Sequence, residues 1–391
     1  MSKNKLIAIF TGNRAEYGLL SPIIKSIKES KKLNYSLIVS GAHVDLNFGN
    51  NKKEIKKDGF KISKLIQITN NDDNLASTTK SIGNGVLKIS ETLSKIKPSI
   101  LIVYADRFEG FAAVISASQM GIPVAHIEGG DITNGGALDD TLRHAMTKLS
   151  HIHFCTNENS KNRILKLGEE RWRVKNYGFP LLDLCKQKNY LPAKETLKKY
   201  NLFNFEKIII FTQHSVSTQY EKAKFQILPS LKALKYFSKK NVMIIITYPN
   251  NDAGSKTIIK ELIKLKSLNI KNIKIYKSLG RYDYHGLLNI AGNFLDGVCV
   301  GNSSSGIKET TFFNCPAVNI GSRQLGRLRS KNIIDANYSY LDIKKKIEYA
   351  LINKTFRKNC KNLKNPYGKG NTSKMITNFL EKLNIDYKLL N

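Results

Sequence analysis

The chain has 391 residues, enough for two α/β domains rather than one core. Its 63 Lys and Arg against 31 Asp and Glu give a formal charge of +32. The basic residues are mostly lysines spread along the whole length with no Arg-rich run, which argues against a nucleic-acid partner and for solvated helix faces or a basic cleft that attracts a small anion.

The first apolar run, Leu6 to Phe10 behind a basic start, is too short for a signal peptide and lacks a cleavage site, so it reads as a buried strand. No stretch approaches about 18 unbroken apolar residues, so no membrane span is expected. From there, strands at 5–12, 35–41, 99–106, 123–130 and 151–157 alternate with helices at 17–30, 81–97, 111–121, 138–150 and 160–168. A second series has strands at 206–215, 241–249, 272–279, 294–301, 316–321 and 332–337, with helices at 226–239, 255–267, 282–292 and 306–314 between them. This alternation predicts an α/β protein of two doubly wound Rossmann-like domains, 1–182 and 183–365, facing a central cleft. The remaining 366–391 holds one amphipathic helix that can pack back on the N-terminal domain. Five scattered cysteines without a C-x-x-C pair fit a reducing cytoplasm.

In open parallel sheets, ligands bind beyond the C-terminal strand ends. The polar residues gather there. Arg14 in "TGNRAEYG" opens a helix, either as a phosphate contact or as a surface residue of an ordinary turn. Asp106 and Arg107 end the next strand, either as site residues or as a helix cap with a solvated neighbour. His126 and Glu128, two apart, are expected on one strand face. Asp139, Asp140, Arg143 and His144 share a helical turn, where Asp139 and Arg143 can pair at i,i+4. Three carboxylates at one sheet end, Asp106, Glu128 and Asp139, offer acid/base chemistry. His151, His153 and Cys155 alternate on a strand but have no further ligand partner nearby, so no metal is expected.

The second series places His214, then Asn250, Asn251 and Asp252, just after strands. "GNSSSGIKE" puts Ser303, Ser304, Ser305 and Gly306 between a strand and a helix, as an anion cradle or an over-built cap. Glu309 lies one turn in, suited to vicinal ribose hydroxyls, and Arg323, Arg327 and Arg329 follow. "SIGNGVL" follows no strand and lacks the third glycine of a dinucleotide fingerprint. Walker A and G-x-S-x-G patterns are absent.

Taken together and in order, "NRAEY", "HIEGG", "LDDTLRHAMTKLSH", "YPNNDAGSK", "GNSSSGIKE" and "GSRQLGR" resemble the UDP-N-acetylglucosamine 2-epimerase family over roughly residues 5–385. The match is closest to the hydrolysing branch of sialic and related nonulosonic acid biosynthesis. The resemblance implies a GT-B-type fold, no cofactor, a cytoplasmic location and a homo-oligomer, dimer or tetramer. It further implies that Arg14 and Arg323 hold a diphosphate, and that His214, Ser303, Ser304 and Glu309 hold UDP with Glu309 on the ribose. Asn250 and Asp252 would line the cleft. Asp106, Glu128 and Asp139 would be catalytic, oriented by Arg107, Arg143 and His144. Two departures stand out: Ala105 where the family has Gly in "GDR", and Asp131 where Glu is common.

The implied reaction takes UDP-GlcNAc and water to N-acetylmannosamine and UDP through a 2-acetamidoglucal, with at least two acid/base groups for inversion at C2. The alternative keeps the mechanism and changes the sugar to UDP- or GDP-linked N,N'-diacetylbacillosamine, leading to legionaminic acid. Further rivals are a GT-B glycosyltransferase and a non-catalytic nucleotide-sugar-binding protein. Buried carboxylates argue against the last, because binding an anion gains nothing from them.

Overall fold

The computed structural model describes residues 4–44, 52–68, 75–133, 137–250 and 252–390. The chain divides into two compact units. The first comprises Met1–Asp131, Leu138–Asp183 and Tyr367–Asn391, and the second is built mainly from Leu184–Pro366.

In the first unit, strands β1 (Lys5–Thr11), β2 (Leu33–Ser40), β3 (Ile62–Ile66), β4 (Ile100–Tyr104), β5 (Val124–Ile127), β6 (Ile152–Cys155) and β7 (Val174–Asn176) form one sheet in the order β3-β2-β1-β4-β5-β6-β7. All its pairings are parallel. Strand alternation decides which helix each side chain meets. Ile7 and Ile9 face the helices Arg14–Glu29 and Thr372–Lys382, through Leu20, Ile23, Ile27, Ile376 and Leu380. Ala8 and Phe10 face the opposite layer, Ile89 and Leu93 of Leu75–Ile96 and Ala112 and Ala113 of Phe108–Gln119. Each fully buried Ile, Leu or Phe among these contributes about 1.5–3 kcal/mol. Gly85 of "SIGNGVL" belongs to this packing: a Cβ there would lie 2.8 Å from Ala112 Cβ, so the two helices cross at close range.

The C-terminal helix Thr372–Lys382 is fastened at both ends. Asp183 accepts the N–H groups of Thr372 (2.9 Å) and Ser373 (2.6 Å). Lys5 Nζ donates to the carbonyls of Leu380, Glu381 and Leu383 at 2.6–3.0 Å, where the helix dipole favours a cation.

In the second unit, β8 (Lys207–Thr212), β9 (Val242–Thr247), β10 (Ile273–Tyr276), β11 (Asp296–Gly301), β12 (Ala317–Ile320) and β13 (Ile333–Ala336) form a parallel sheet in the order β10-β9-β8-β11-β12-β13. Ile209, Phe211 and Val300 pack on one face, and Ile208, Ile210 and Cys299 on the other. Strand order reverses between β1 and β4 in the first sheet and between β8 and β11 in the second, which gives each unit one switch-point crevice.

Three features depart from the sequence expectations. The edge strand β3 and the short β7 carry little apolar signal, with burial confined to their ends. The helix Tyr340–Ile352 follows β13 and covers one face of the second sheet. The helix expected over 306–314 is a five-residue helix, Ser304–Lys308, followed by a 3-10 turn, Thr310–Phe313, that ends at Asn314 with φ of 56°. Among the described residues no helix is long and apolar enough to cross a membrane. All five cysteines are buried and free.

Candidate active site

The first unit's crevice begins where β1 turns at Gly12. Asn13 caps the helix Arg14–Glu29 by accepting from Glu16 N at 3.0 Å, and the Glu16 carboxylate bends back to Gly12 N at 2.7 Å. The chain thus uses two of its own helix-start N–H groups. Arg14 starts this helix, but its side chain lies outside the described residues. Glu109, on the helix after β4, presses on the same turn: a Cβ at Gly12 would sit 2.9 Å from Glu109 Cβ, and one at Gly41 2.8 Å from Glu109 Oε1. Glu16 and Glu109 are both buried. Burial first, and the Glu109 charge second, push the Glu16 carboxyl from its ordinary 4.5 up to about 8. Arg107, partly exposed, lies 3.3 Å from Glu109. Neither glutamate is among the site candidates that strand ends alone point to. The signals were present: Glu16 stands three residues after a capping Asn, and Glu109 three after Asp106.

β4 ends in a strained turn. Ala105 has φ of 56°, a left-handed conformation that disfavours a side chain with a Cβ. Its N–H donates to Ile127 O (2.9 Å) and its carbonyl accepts from His126 Nε2 (2.6 Å). The turn presents Asp106 to Arg143, which is 2% exposed. Arg143 donates to Asp106 Oδ2, to Asp140 Oδ1 at 2.5 Å and to Asp131 O at 2.8 Å. Burial alone would lower its pKa, but Asp106, then Asp131 and Asp140, carry it above the usual guanidinium range. On its own helix Arg143 therefore pairs with Asp140, three residues back. The backbone of Asp139 belongs to the helix Ala137–Lys148, and its side chain lies outside the described residues.

Glu128 sits one residue past β5 with φ of 64°. That conformation breaks the strand alternation, so the shared face expected for His126 and Glu128 does not form. Glu128 is buried and accepts a hydrogen bond from Tyr104 OH. His126 is fully buried between Ala105 O and Thr147 Oγ1, and burial pushes its pKa down to about 3. It is a neutral structural ring, whereas a non-glycine in left-handed backbone at Glu128 is the kind of strain found at functional sites. His144 is half-buried, its pKa lowered by burial and then by Arg143. His151 Nδ1 accepts from Val124 N at 3.1 Å, and His153 faces Glu169 at 3.3 Å. Among the described residues no His, Cys, Asp and Glu cluster has the makings of a metal site.

The second unit's crevice is tied together by one asparagine. Asn302 Oδ1 accepts His214 N (2.6 Å) and its Nδ2 donates to His214 O (2.9 Å), joining the loops after β8 and β11. Its carbonyl takes Gln324 Nε2 (2.9 Å) and Arg323 (3.3 Å). His214 Nδ1 accepts Asn250 N at 3.0 Å. Burial, then the Arg323 charge, lower its pKa to about 3, so the ring is neutral and carries its proton on Nε2, a donor. Arg323 also reaches Asp252 at 3.4 Å. Asn251 lies outside the described residues.

At the end of β11, Gly301 (φ of 127°) lies against the Thr212 backbone, where no Cβ fits. Ser303 caps the short helix. Ser304, Ser305 and Gly306 are half-buried, and a Cβ at Gly306 would meet nothing closer than Cys299 Sγ at 3.9 Å, so backbone there stays approachable. Glu309, 7% exposed, ends the helix and pairs with His285 at 2.7 Å. The second crevice thus combines hydroxyls, helix-start N–H groups, an imidazole donor and an arginine, a set that complements a phosphate. The first combines carboxylates with a fixed arginine, a set suited to moving protons.

A family model described as UDP-N-acetylglucosamine 2-epimerase matches residues 25–381. A GDP/UDP-N,N'-diacetylbacillosamine 2-epimerase (hydrolyzing) from Campylobacter jejuni is 36% identical, over 88% of this chain and 86% of its own. A UDP-N,N'-diacetylbacillosamine 2-epimerase (hydrolyzing) from Legionella pneumophila is 33% identical over 98% of both. A UDP-N-acetylglucosamine 2-epimerase from Neisseria meningitidis serogroup B is 32% identical, over 88% of this chain and 87% of its own. The crystal structure of a Neisseria meningitidis UDP-GlcNAc 2-epimerase bound to UDP-GlcNAc superposes with a TM-score of 0.81 at 19% identity, covering 97% of this chain and 100% of that one. The two Rossmann-like units are of the GT-B class that such structures share.

Proposed function

The chain belongs to the UDP-N-acetylglucosamine 2-epimerase family, and from that premise we propose that it is a hydrolysing 2-epimerase whose substrate is a UDP- or GDP-linked N,N'-diacetylbacillosamine. The observation that carries the choice of sugar is the match, over most of both chains, to the two relatives named for it. This reading displaces N-acetylglucosamine, the leading sugar of the sequence analysis, to second place, where the serogroup B relative supports it.

The chemistry follows from the residue types. The C2 proton of the sugar is not acidic, so departure of the nucleoside diphosphate drives the first step through positive character at C1. Ser303, Ser304 and Ser305, the His214 Nε2–H, Arg323 and Arg14 stabilise the departing diphosphate. As the C1–O bond breaks, a carboxylate takes the C2 proton and the glucal double bond forms. Water then adds to C1 as a second acid protonates C2 from the opposite face, and the proton that water sheds replaces the one this acid gave, leaving the free 2-epimer beside the diphosphate. Asp106, Glu128 and Asp139 are the candidates for the two proton transfers. Arg143 orients Asp106, and Tyr104 orients Glu128.

The test is a panel of UDP-GlcNAc, UDP-diacetylbacillosamine and GDP-diacetylbacillosamine, read by free nucleotide release and product NMR in D2O. The expected result is preferred turnover of a bacillosamine substrate, with no acceptor added and one deuterium at C2 of the product. Turnover of UDP-GlcNAc alone refutes the sugar, and protium retained at C2 refutes the mechanism. Glu128→Gln and Asp139→Asn should lose turnover and keep UDP binding.

A further inference from the structure

The cradle after β11 is backed by the helix Gly280–Asn293, which places two consecutive side chains against it. Tyr284 OH lies 2.7 Å from Ser305 Oγ, and His285 Nε2 lies 2.7 Å from Glu309 Oε2. We propose that Tyr284 and His285 are positioning residues for nucleotide binding, Tyr284 aiming the serine turn at the diphosphate and His285 holding Glu309 for the ribose. This rests on the reading of the cradle given above.

The chain of contacts behind the turn supports it. Ser305 Oγ lies between Tyr284 OH at 2.7 Å and Ser303 Oγ at 3.0 Å, and Tyr284 OH also lies 3.5 Å from Cys299 Sγ, so its ring is held on both sides of the turn. Burial raises the Tyr284 phenol well above its ordinary range, so it stays a donor. Ser303 Oγ receives both the Ser305 hydroxyl and, at 3.4 Å, the Ser305 N–H. Its own single proton is then directed away from both, available to an anion. Tyr284, Ser305 and Ser303 thus form one hydrogen-bonded chain that fixes the orientation of the serine turn.

His285 is 1% exposed, with its ring against Phe313 at 5.3 Å between centroids. Its Nδ1 faces Cys185 Sγ at 3.7 Å, and because a carboxylate oxygen accepts, Nε2 is the nitrogen that donates to Glu309. That bond occupies Oε2 and leaves Oε1 for a ribose hydroxyl. The next residue fixes the helix in place: a Cβ at Gly286 would come within 2.8 Å of Leu191 O and 2.7 Å of Thr196 Oγ1. Neither Tyr284 nor His285 needs to touch the nucleotide.

The experiment is calorimetric titration of the full-length protein with UDP, uridine and 2',3'-dideoxy-UDP. Tyr284→Phe should weaken UDP about three- to tenfold and leave uridine unchanged. His285→Phe should weaken UDP and uridine about tenfold or more and leave 2',3'-dideoxy-UDP unchanged. His285→Gln, which keeps an N–H near the Nε2 position, should restore most of the loss and serves if the phenylalanine variant does not fold. Equal weakening of all three ligands by either variant means a merely structural role and overturns the proposal. Unchanged UDP affinity in both variants, while Ser303→Ala and Glu309→Gln weaken it, overturns this inference alone. Unchanged affinity in those two controls as well overturns the cradle reading beneath it.

Discussion

Glu16→Gln isolates one buried charge. Glu16 is 5% exposed, sits against a second buried carboxylate and holds its proton up to about pH 8. Its ordinary value of 4.5 applies in the unfolded chain. Between these two values the folded state binds the proton and the unfolded state does not, so stability is fully present below 4.5 and falls as pH rises toward 8. At about 1.4 kcal/mol per unit, the full interval is worth at most roughly 5 kcal/mol, and roughly 3 kcal/mol after relaxation of the site is a reasonable expectation. Glutamine keeps the acceptor for Gly12 N and cannot ionise, so the helix cap survives and the pH-dependent loss disappears. Denaturant unfolding of wild type and variant at pH 5, 6.5 and 8 is the assay. The variant should match wild type at pH 5 and exceed it by several kcal/mol at pH 8. Stability curves that run parallel across this range refute a protonated, buried Glu16.

Arg143→Met leaves Asp106 and Asp140 without their shared cation, and breaking such a buried pair costs about 3–5 kcal/mol. Thermal unfolding should show a large drop that Asp106→Asn partly rescues in the double variant. Additive losses would mean that the pair is not coupled. Ala105→Gly should stabilise the protein by about 1 kcal/mol, because the left-handed backbone at φ of 56° then carries no Cβ strain. A lowered midpoint in denaturant would contradict it. Asp183→Ala removes the carboxylate that caps Thr372 and Ser373 and should cost about 2–3 kcal/mol. Limited proteolysis should then cut near the start of the C-terminal helix sooner than in wild type.

Much of the frame was legible because it depends on local pattern. The apolar runs that became β1, β4, β8 and β11 are short, bounded by Gly or polar residues and followed by amphipathic stretches, and each lies close to its expected place. The edge strand β3 was not legible, since only one side of an edge strand pairs and "ISKLI" fully buries only Ile66. Within the site, "NSSSG" stands out as a polar turn between a strand and a helix because residue types and position are local, and the structure places it there at the end of β11. The Glu16–Glu109 pair was not, since each glutamate by itself reads as an ordinary helix-start residue. The shared face for His126 and Glu128 failed for a local reason that the pattern hides, a left-handed residue directly after the strand.

The two doubly wound units and the loops that carry polar chemistry are written in local pattern, because parallel strands need helical crossovers and their C-terminal ends are where the chain leaves the core. Which groups work as partners follows from packing: Arg143 with Asp106 from the end of β4, Glu16 pushed toward its protonated form, a neutral His214, and a Glu309 held by His285. Burial and Coulomb energy depend on distance through space. The residues that set these charges and orientations come from different strands and helices, so they become neighbours only once the units are packed.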